Sequence, residues 1–416
     1  MKLLRLALVA FASTLGLAYA QDEERRGPPV EIPDFSNLDE YIYEPKSTVT
    51  FGFRYVSGAK TQFSGQGRIS APEDPGALLG ANLSRNYHNG TVQPDSRAVG
   101  RTDSAGNPVI DPESGARVFD PIAPDGRTNT WSYIDSSQLT ANGYLALSTY
   151  SADVIDTSVR EKDSASSAGM DIAMHRDMGK LFGGRVAWNL TAGLSLNDIA
   201  SNTEDRVRAT MRTLTDFYSL FGQTPPAPPY SSPSTSTENV LDASGNPLLN
   251  DDGSIRTLTS DTSVLIGNQP AGRTETALTN DTSVTNRWKL KGAYYTMRVG
   301  PTLLFAITNR LKASVSLGAA LVYSGASYTV TQTFQPELGA EISETVTNAD
   351  YKLLPGYYAD AAVQFDLTER AGFYAGAVFQ SAGSYTQSVE NSSATYATKI
   401  DLSNQNGVRA GMSIRF

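Results

Sequence analysis

Apolar and polar residues alternate along this chain in unusually long stretches. At the C-terminal end Val408, Ala410, Met412, Ile414 and Phe416 alternate with Arg409, Gly411, Ser413 and Arg415. The same phase runs back through Leu402 and Ile400, which puts Lys399 and Asp401 on the face of Arg409. A period of two marks a strand with one dry and one wet face. The phase predicts that "NQN" (404–406) belongs to one long strand rather than to a turn.

Earlier segments repeat the pattern. Phe373, Ala375, Ala377 and Phe379 oppose Tyr374, Gly376 and Gln380, while Ala359, Ala361, Val363, Phe365 and Leu367 oppose Asp360, Gln364 and Asp366. Met297, Val299, Leu303 and Phe305 oppose Arg298, Gly300 and Thr302, and Ala313, Val315 and Leu317 oppose Lys312, Ser314 and Ser316. In the first half, Phe51, Phe53 and Tyr55 alternate with Gly52 and Arg54, Trp188, Leu190 and Leu194 with Arg185, Asn189 and Ser195, and Met170, Ile172 and Met174 with Asp171 and His175. Strands are expected near 47–57, 141–151, 168–178, 184–198, 205–216, 288–308, 310–333, 350–367, 371–387 and 395–416, with 60–69 and 255–266 as additions. The expected total is about twelve, with about ten as the alternative.

A soluble sandwich also alternates, but its strands run only about 5–6 residues. Here the strands are longer, and tight turns ("TNR" 308–310, "TERA" 368–371) alternate with long loops, the asymmetry of a transmembrane β-barrel. Phe305, Phe365 and Phe373 sit beside the short turns, and Tyr295 lies ten residues from Phe305. At about 3.3 Å per residue and a tilt of about 45°, that is roughly 23 Å, close to the apolar band between two aromatic girdles. The expected fold is therefore an all-β, antiparallel, up-and-down transmembrane barrel. With the apolar face toward lipid, the lumen-lining candidates are Arg54, Arg185, Arg298, Lys312, Asp360, Asp366, Lys399, Asp401 and Arg409.

Composition fits that reading. Residues 1–20 carry Lys2 and Arg5, an apolar run and "AYA", which predicts a secretory signal peptide cleaved after Ala20. The chain holds no cysteine, which excludes disulfides and thiolate chemistry, and its formal charge of −9 disfavours nucleic-acid binding.

The terminal "GMSIRF" resembles the C-terminal signal of bacterial outer-membrane β-barrel proteins, a porin-like architecture. The resemblance implies location in the cell outer membrane of a Gram-negative envelope, contact with outer-membrane lipid and lipopolysaccharide, and recognition by the barrel-assembly machinery. Val408, Ala410, Met412, Ile414 and Phe416 would be the assembly signal, both termini would be periplasmic, and the long loops would be extracellular.

Two regions, 70–138 and 217–285, are rich in Pro, Gly, Ser and Asn and read as long loops. They share an ungapped likeness, "DSAGNPVIDPESGAR" (103–117) and "DASGNPLLNDDGSIR" (242–256), and "DTSV" recurs at 261–264 and 281–284. Calcium ligation by Asp103, Asp111 and Glu113, or by Asp242, Asn250, Asp251 and Asp252, is one reading of the longer repeat. A recurring hairpin-like excursion turned by Gly-Asn-Pro is favoured, because the spaced ligand pattern of a calcium loop is missing. Between leader and barrel, 21–46 places Phe35, Leu38 and Ile42 at helical spacing behind Asp34 or Ser36, a short plug or an inert tail.

The small lumenal residues Ser314, Ser316, Gly318, Ala362, Gly376 and Gly411 favour a passive, weakly selective pore for ions or small polar solutes. A closed barrel that interacts through its surface loops, adhesin-like, is the alternative. An enzyme is third: His88 and His175 are the chain's two histidines, and His175 shares a face with Asp171 and Asp177, but no nucleophile stands beside them. No catalytic residue, metal site or cofactor is expected.

Overall fold

The computed structural model describes residues 46–416 apart from 71–74, 114–116, 183–185, 242–244, 250–252 and 262. The leader (1–20), the helix expected within 34–42 and Arg185 lie outside the described residues. Residues 47–416 form one compact unit.

Eight staves build it. The first is Ser47–Ser57 continued by Lys60–Ile69; the second is Tyr144–Val154, Arg160–Asp163 and Ser167–Leu181. Val186–Ser219, Gly272–Ala306, Leu311–Phe334 and Ile342–Asp366 are the third to sixth. The seventh is Ala371–Ser381 with Ser384–Glu390, and the eighth is Ala394–Asp401 with Gln405–Arg415. Each pairs antiparallel with its sequence neighbour, and Ser47–Ser57 pairs with both Ser167–Leu181 and Gln405–Arg415. The ladder therefore closes on itself. Phe416 completes the joint, its carbonyl accepting from Ser47 N at 3.0 Å and its own N–H donating back at 2.9 Å.

The ring holds eight strands rather than about twelve, because pairs of expected strands are single staves. Of the strand expected at 184–198 the described part, from Val186, belongs to one strand with 205–216, 60–69 prolongs 47–57, and 141–151 and 168–178 are parts of one interrupted stave. The region 255–266 lies outside the ring altogether. The loop expected at 217–285 shrinks to 220–271, since both flanking strands run further than their patterns suggest.

The strands look split because their chemistry inverts part-way up. On the fourth stave the outward residues are Ala293, Tyr295, Met297, Val299, Leu303 and Phe305 near the termini, then Lys291, Lys289 and Arg287 beyond. The inward residues change the opposite way, from Thr302, Arg298 and Thr296 to Leu290, Trp288 and Val284. The third stave changes beside it: Leu196 pairs with Tyr295, and Asp198 with Ala293. The fifth follows, with Tyr323 opposite Tyr295 and Gly325 opposite Ala293. A surface that is apolar below this line and charged above it has two solvents, hydrocarbon and then water. Tyr295 and Tyr323 mark the line, Tyr351 and Tyr357 flank it on the sixth stave, and Phe305, Phe365, Phe373 and Phe416 form the opposite collar. Such rings suit a boundary that is wet on one side.

Above the line the interior is an apolar core of Phe63, Ile69, Val207, Trp288, Leu290, Tyr328, Val330, Tyr396 and their neighbours. Phe63 stacks between Trp288 and Tyr328 at centroid distances of 6.3 and 5.9 Å. In this half the sixth and seventh staves are joined through side chains. Asn348 Nδ2 donates to the Ser388 carbonyl at 2.7 Å, and Gln387 Nε2 to the Asn348 carbonyl at 3.0 Å. The interruption of the second stave is held by Asp156, whose carboxylate accepts from Arg160 at 2.8 Å and from Ser158 N at 2.9 Å. Burial pushes this carboxyl up, but the hydrogen bonds from Arg160 and Ser158 win and hold it well below the usual range. A depressed folded-state value stabilises above the unfolded value of about 4 and is lost as pH falls through the folded one. Amide exchange around 155–160 is accordingly expected to stay protected at mildly acidic pH and to open only below the normal carboxylate range.

Candidate functional site

Inside the membrane belt the inward side chains form a packed polar core with an ion-paired centre. The strand period fixes who points in: Arg54, Asp171, Arg298, Asp360 and Arg409 are all inward and buried, Arg54 and Asp171 to 2% exposure. Asp171 is the hub. Arg298 reaches it at 2.7 Å and Arg409 at 3.2 Å, and Arg409 also binds the Asp360 carboxylate. Tyr358 lies under Arg298 at 5.8 Å and Tyr374 under Arg409 at 5.1 Å, so both guanidinium faces rest on aromatic rings. Among the described residues Arg54 donates to two neutral acceptors, Ser195 Oγ at 2.8 Å and Gln380 Oε1 at 2.7 Å, and Gln380 Nε2 passes on to Thr296 Oγ1 at 2.9 Å.

Toward the termini a chain of hydroxyls continues the network. His175 Nδ1 meets Thr191 Oγ1 at 2.8 Å, Thr191 meets Thr302 at 2.5 Å, and Thr302 meets Ser316 at 2.7 Å. At the rim Asp366 holds Lys312 at 2.8 Å and Arg415 at 3.4 Å. An eight-stranded ring has an interior just wide enough for side chains to fill, and these groups span it from every stave.

Arg54, Arg298, Asp360 and Arg409 thus come together as one cluster, and Lys312 with Asp366 forms a separate pair at the rim. Lys399 and Asp401 do not line the lumen. Ile400, Leu402 and Tyr396 point inward instead, while Gln405, Arg409 and Ser413 point inward below them. The phase slips at Leu402–Asn404: between the pairs Ser57↔Asn406 and Lys60↔Asp401 the eighth stave has more residues than the first, a bulge that reverses every later side chain. "NQN" is therefore not uninterrupted strand. Parity reasoning also missed Asp171 as the hub, reading it only as a companion of His175. His175 is engaged by Thr191 and by Thr50 at 3.2 Å, Asp171 by arginines, and Asp177 by the Gly179 amide at 2.8 Å.

Val408, Met412, Ile414 and Phe416, with Ala410 among them, face outward. Deleting Phe416 is expected to lower the yield of folded barrel several-fold, measured by heat-modifiable migration on electrophoresis. Both terminal hydrogen bonds to Ser47 go with it.

Beyond the core stands a head built from both long loops. Arg85–Tyr87, Gly90–Val92, Trp131–Tyr133 and Tyr230–Ser231 form a small sheet. It packs Tyr87, Trp131, Tyr133 and Ile266 on Leu145, Leu147 and Tyr218 of the barrel end. A polar latch fastens it: buried Asp216 takes Arg273 at 2.7 and 2.8 Å and the Tyr87 hydroxyl at 2.5 Å, and Tyr87 meets Tyr218 at 2.6 Å. Burial pushes both phenols up, so they stay protonated and able to donate.

The fold is an outer-membrane β-barrel. The closed antiparallel ring, the apolar belt and its two collars carry that statement. No family model matches the chain, and no curated protein matches it. Among solved structures the chain is similar to the outer membrane protease OmpT from Escherichia coli, at 9% identity and a TM-score of 0.28 over 89% of this chain and 96% of that one. It is also similar to Ail, the attachment invasion locus protein of Yersinia pestis (8%, TM-score 0.20, 88% and 99%). A Pseudomonas aeruginosa FadL homologue follows (7%, TM-score 0.17, 89% and 90%). Likeness at these scores transfers no residue's role, and a protease, an attachment protein and a FadL homologue stand side by side.

Proposed function

We propose that this protein is a closed barrel that anchors its head at the cell surface as an interaction module, not a passive pore. The observation that supports the reading is the filled interior of the narrow ring: Arg298, Arg409, Asp171 and Asp360 are ion-paired at its centre, Arg54 is bonded to Ser195 and Gln380 beside them, and a file of hydroxyls packs toward the termini. The small lumenal residues that favoured a pore are neighbours of this network. Gly376 and Ala362 lie in contact with each other, and a side chain added at Gly318 would meet the Tyr358 ring at 2.8 Å. They make room for packed arginine and tyrosine side chains. The apolar core above the membrane line supports the same reading, since a conducting path would have to run through Trp288, Tyr328 and Tyr396.

Planar-bilayer recording of the purified, folded chain tests it. The membrane is expected to stay silent at moderate voltage, and removing residues 21–46 is expected to leave it silent, because side chains of the wall itself meet across the ring. Discrete conductance steps from the full chain would overturn the reading in favour of a pore.

A further inference from the structure

The outer wall just beyond the hydrocarbon carries its charge unevenly. On the fourth stave Lys291 and Lys289 point outward, four and six residues beyond Tyr295 on the membrane line. Their register neighbours are neutral: Lys291 lies between Ala200 and Ser327, and Lys289 between Asn202 and Thr329. The carboxylates on the diagonals are engaged elsewhere, Asp198 with Ser167 Oγ at 2.5 Å and Glu204 with Arg287 at 2.6 Å. Among the described residues the lysines in ion pairs are Lys60, Lys312 and Lys352, so Lys289 and Lys291 keep their charges uncompensated. The far side of the ring differs. There Lys60, on the first stave, bonds Glu161 at 3.2 Å and lies in register between Asp401 and Asp163. A chain of formal charge −9 thus presents bare positive charge at the membrane surface on one side.

Three levels are stacked on that side. The lowest is hydrocarbon-facing Val299, Leu317 and Leu321, topped by Tyr323 and Tyr351, whose ring centroids are 5.8 Å apart. The lysines come next. Four residues at about 3.3 Å each and a tilt of about 45° put the Lys291 backbone roughly 9 Å beyond the line. A lysine stem snorkels back from there into a head-group layer about 5–8 Å deep. Beside and above the lysines the fifth and sixth staves carry a ladder of hydroxyls, Thr329 with Thr347 at 3.0 Å and Thr331 with Thr345 at 3.1 Å. Acyl chains, phosphates and sugar hydroxyls follow one another in this order in a phosphorylated glycolipid. A glycerophospholipid offers the first two and no sugar.

We propose that the side of the barrel from the fourth to the sixth stave is a binding site for a phosphorylated glycolipid of the outer leaflet. Lys291 and Lys289 stand roughly 7 Å apart along the strand and take its phosphates as two point charges. The threonine ladder donates to and accepts from its sugar hydroxyls, and the tyrosines sit where chains give way to head group. The site is on the outer wall, so it goes beyond the closed-barrel reading and stands whether or not the lumen conducts.

Native mass spectrometry of the full chain folded in detergent and titrated with diphosphoryl lipid A tests it. One lipid is expected to be retained per chain, and monophosphoryl lipid A is expected to bind the same protein several-fold more weakly. Lys289→Gln with Lys291→Gln should weaken diphosphoryl lipid A at least tenfold. Lys60→Gln with Lys399→Gln, the same loss of charge on the far side, should leave it within twofold. Thr329→Val with Thr347→Val should weaken lipid A several-fold and leave phosphatidylglycerol, which has no sugar, unaffected. Heat-modifiable migration checks that each variant is folded, and the comparison of the two lipids needs no variant at all. Phosphatidylglycerol held as tightly as lipid A, displacement by millimolar inorganic phosphate, or equal losses from the two lysine pairs would overturn the proposal.

Discussion

Asp171→Ala is expected to cost the barrel about 3–5 kcal/mol, the range for leaving a buried charge without its partner. The side chain is the single carboxylate shared by Arg298 and Arg409, which approach within 2.7 and 3.2 Å. Removing it strands Arg298 outright, because among the described residues Asp171 is the one carboxylate paired with it, and leaves Arg409 on Asp360. Together with Arg54 that places three cations in a ring lined outside by hydrocarbon, where neither water nor counter-ions offset them cheaply. Asp171→Asn keeps shape and one acceptor and is expected to fall between wild type and alanine. The rim supplies an internal comparison. Lys312→Met removes a charge pair of similar length, 2.8 Å, but Lys312 is partly exposed and the Asp366 left behind keeps Arg415 at 3.4 Å, so the effect should stay well below that of Asp171→Ala. Urea unfolding in detergent, followed by tryptophan fluorescence, ranks the variants. If Asp171→Ala and Lys312→Met destabilise alike, the core is not the electrostatic unit described above.

The ionic core shows how far alternation can be read. Parity alone finds Arg54, Arg298, Asp360 and Arg409 as inward residues, because the period of two holds within each stave. It cannot find that Asp171 joins two of them, since the second, fourth and eighth staves meet only through ring closure. Parity also carries an assumption, that apolar means outward. That assumption is right for Leu194 and Tyr295 and reversed for Ile199 and Trp288, on the same strands and in the same phase. The strand across 197–205 therefore looks broken where it merely leaves hydrocarbon for water. The likeness of 103–117 to 242–256 was legible because its turn chemistry is local. The pairing of Thr128 with Ile266 and of Arg127 with Gly267, which joins the two long loops, was not, since two short strands far apart in sequence leave no periodic trace.

Gly58→Ala is expected to be nearly as damaging as loss of Asp171, and for a reason confined to backbone. The phase slip at Asn404 has partners on the adjacent staves: inward positions are even on Thr50–Val56 but odd on Thr61–Ile69, and even on Gly372–Gln380 but odd on Tyr385–Val389. The switches fall at Gly58 and Gly383, beside the slip on the eighth stave, so three neighbouring staves turn over together. The two glycines meet different demands. Both have positive φ, +97° and +76°, which costs a side chain about 1–2 kcal/mol. A Cβ on Gly383 would meet open space, whereas one on Gly58 would lie 2.1 Å from the Asn404 carbonyl oxygen. That oxygen is main chain and cannot swing aside without parting the first and eighth staves, the joint that closes the ring. Gly383→Ala should therefore cost about 1–2 kcal/mol, strain alone. Gly58→Ala adds a backbone clash, and should push the urea midpoint down at least twice as far and slow appearance of the heat-modifiable form. Equal effects at the two positions would mean that the slip relaxes freely, and that the reversal of Lys399 and Asp401 to the outer surface is not fixed by this contact.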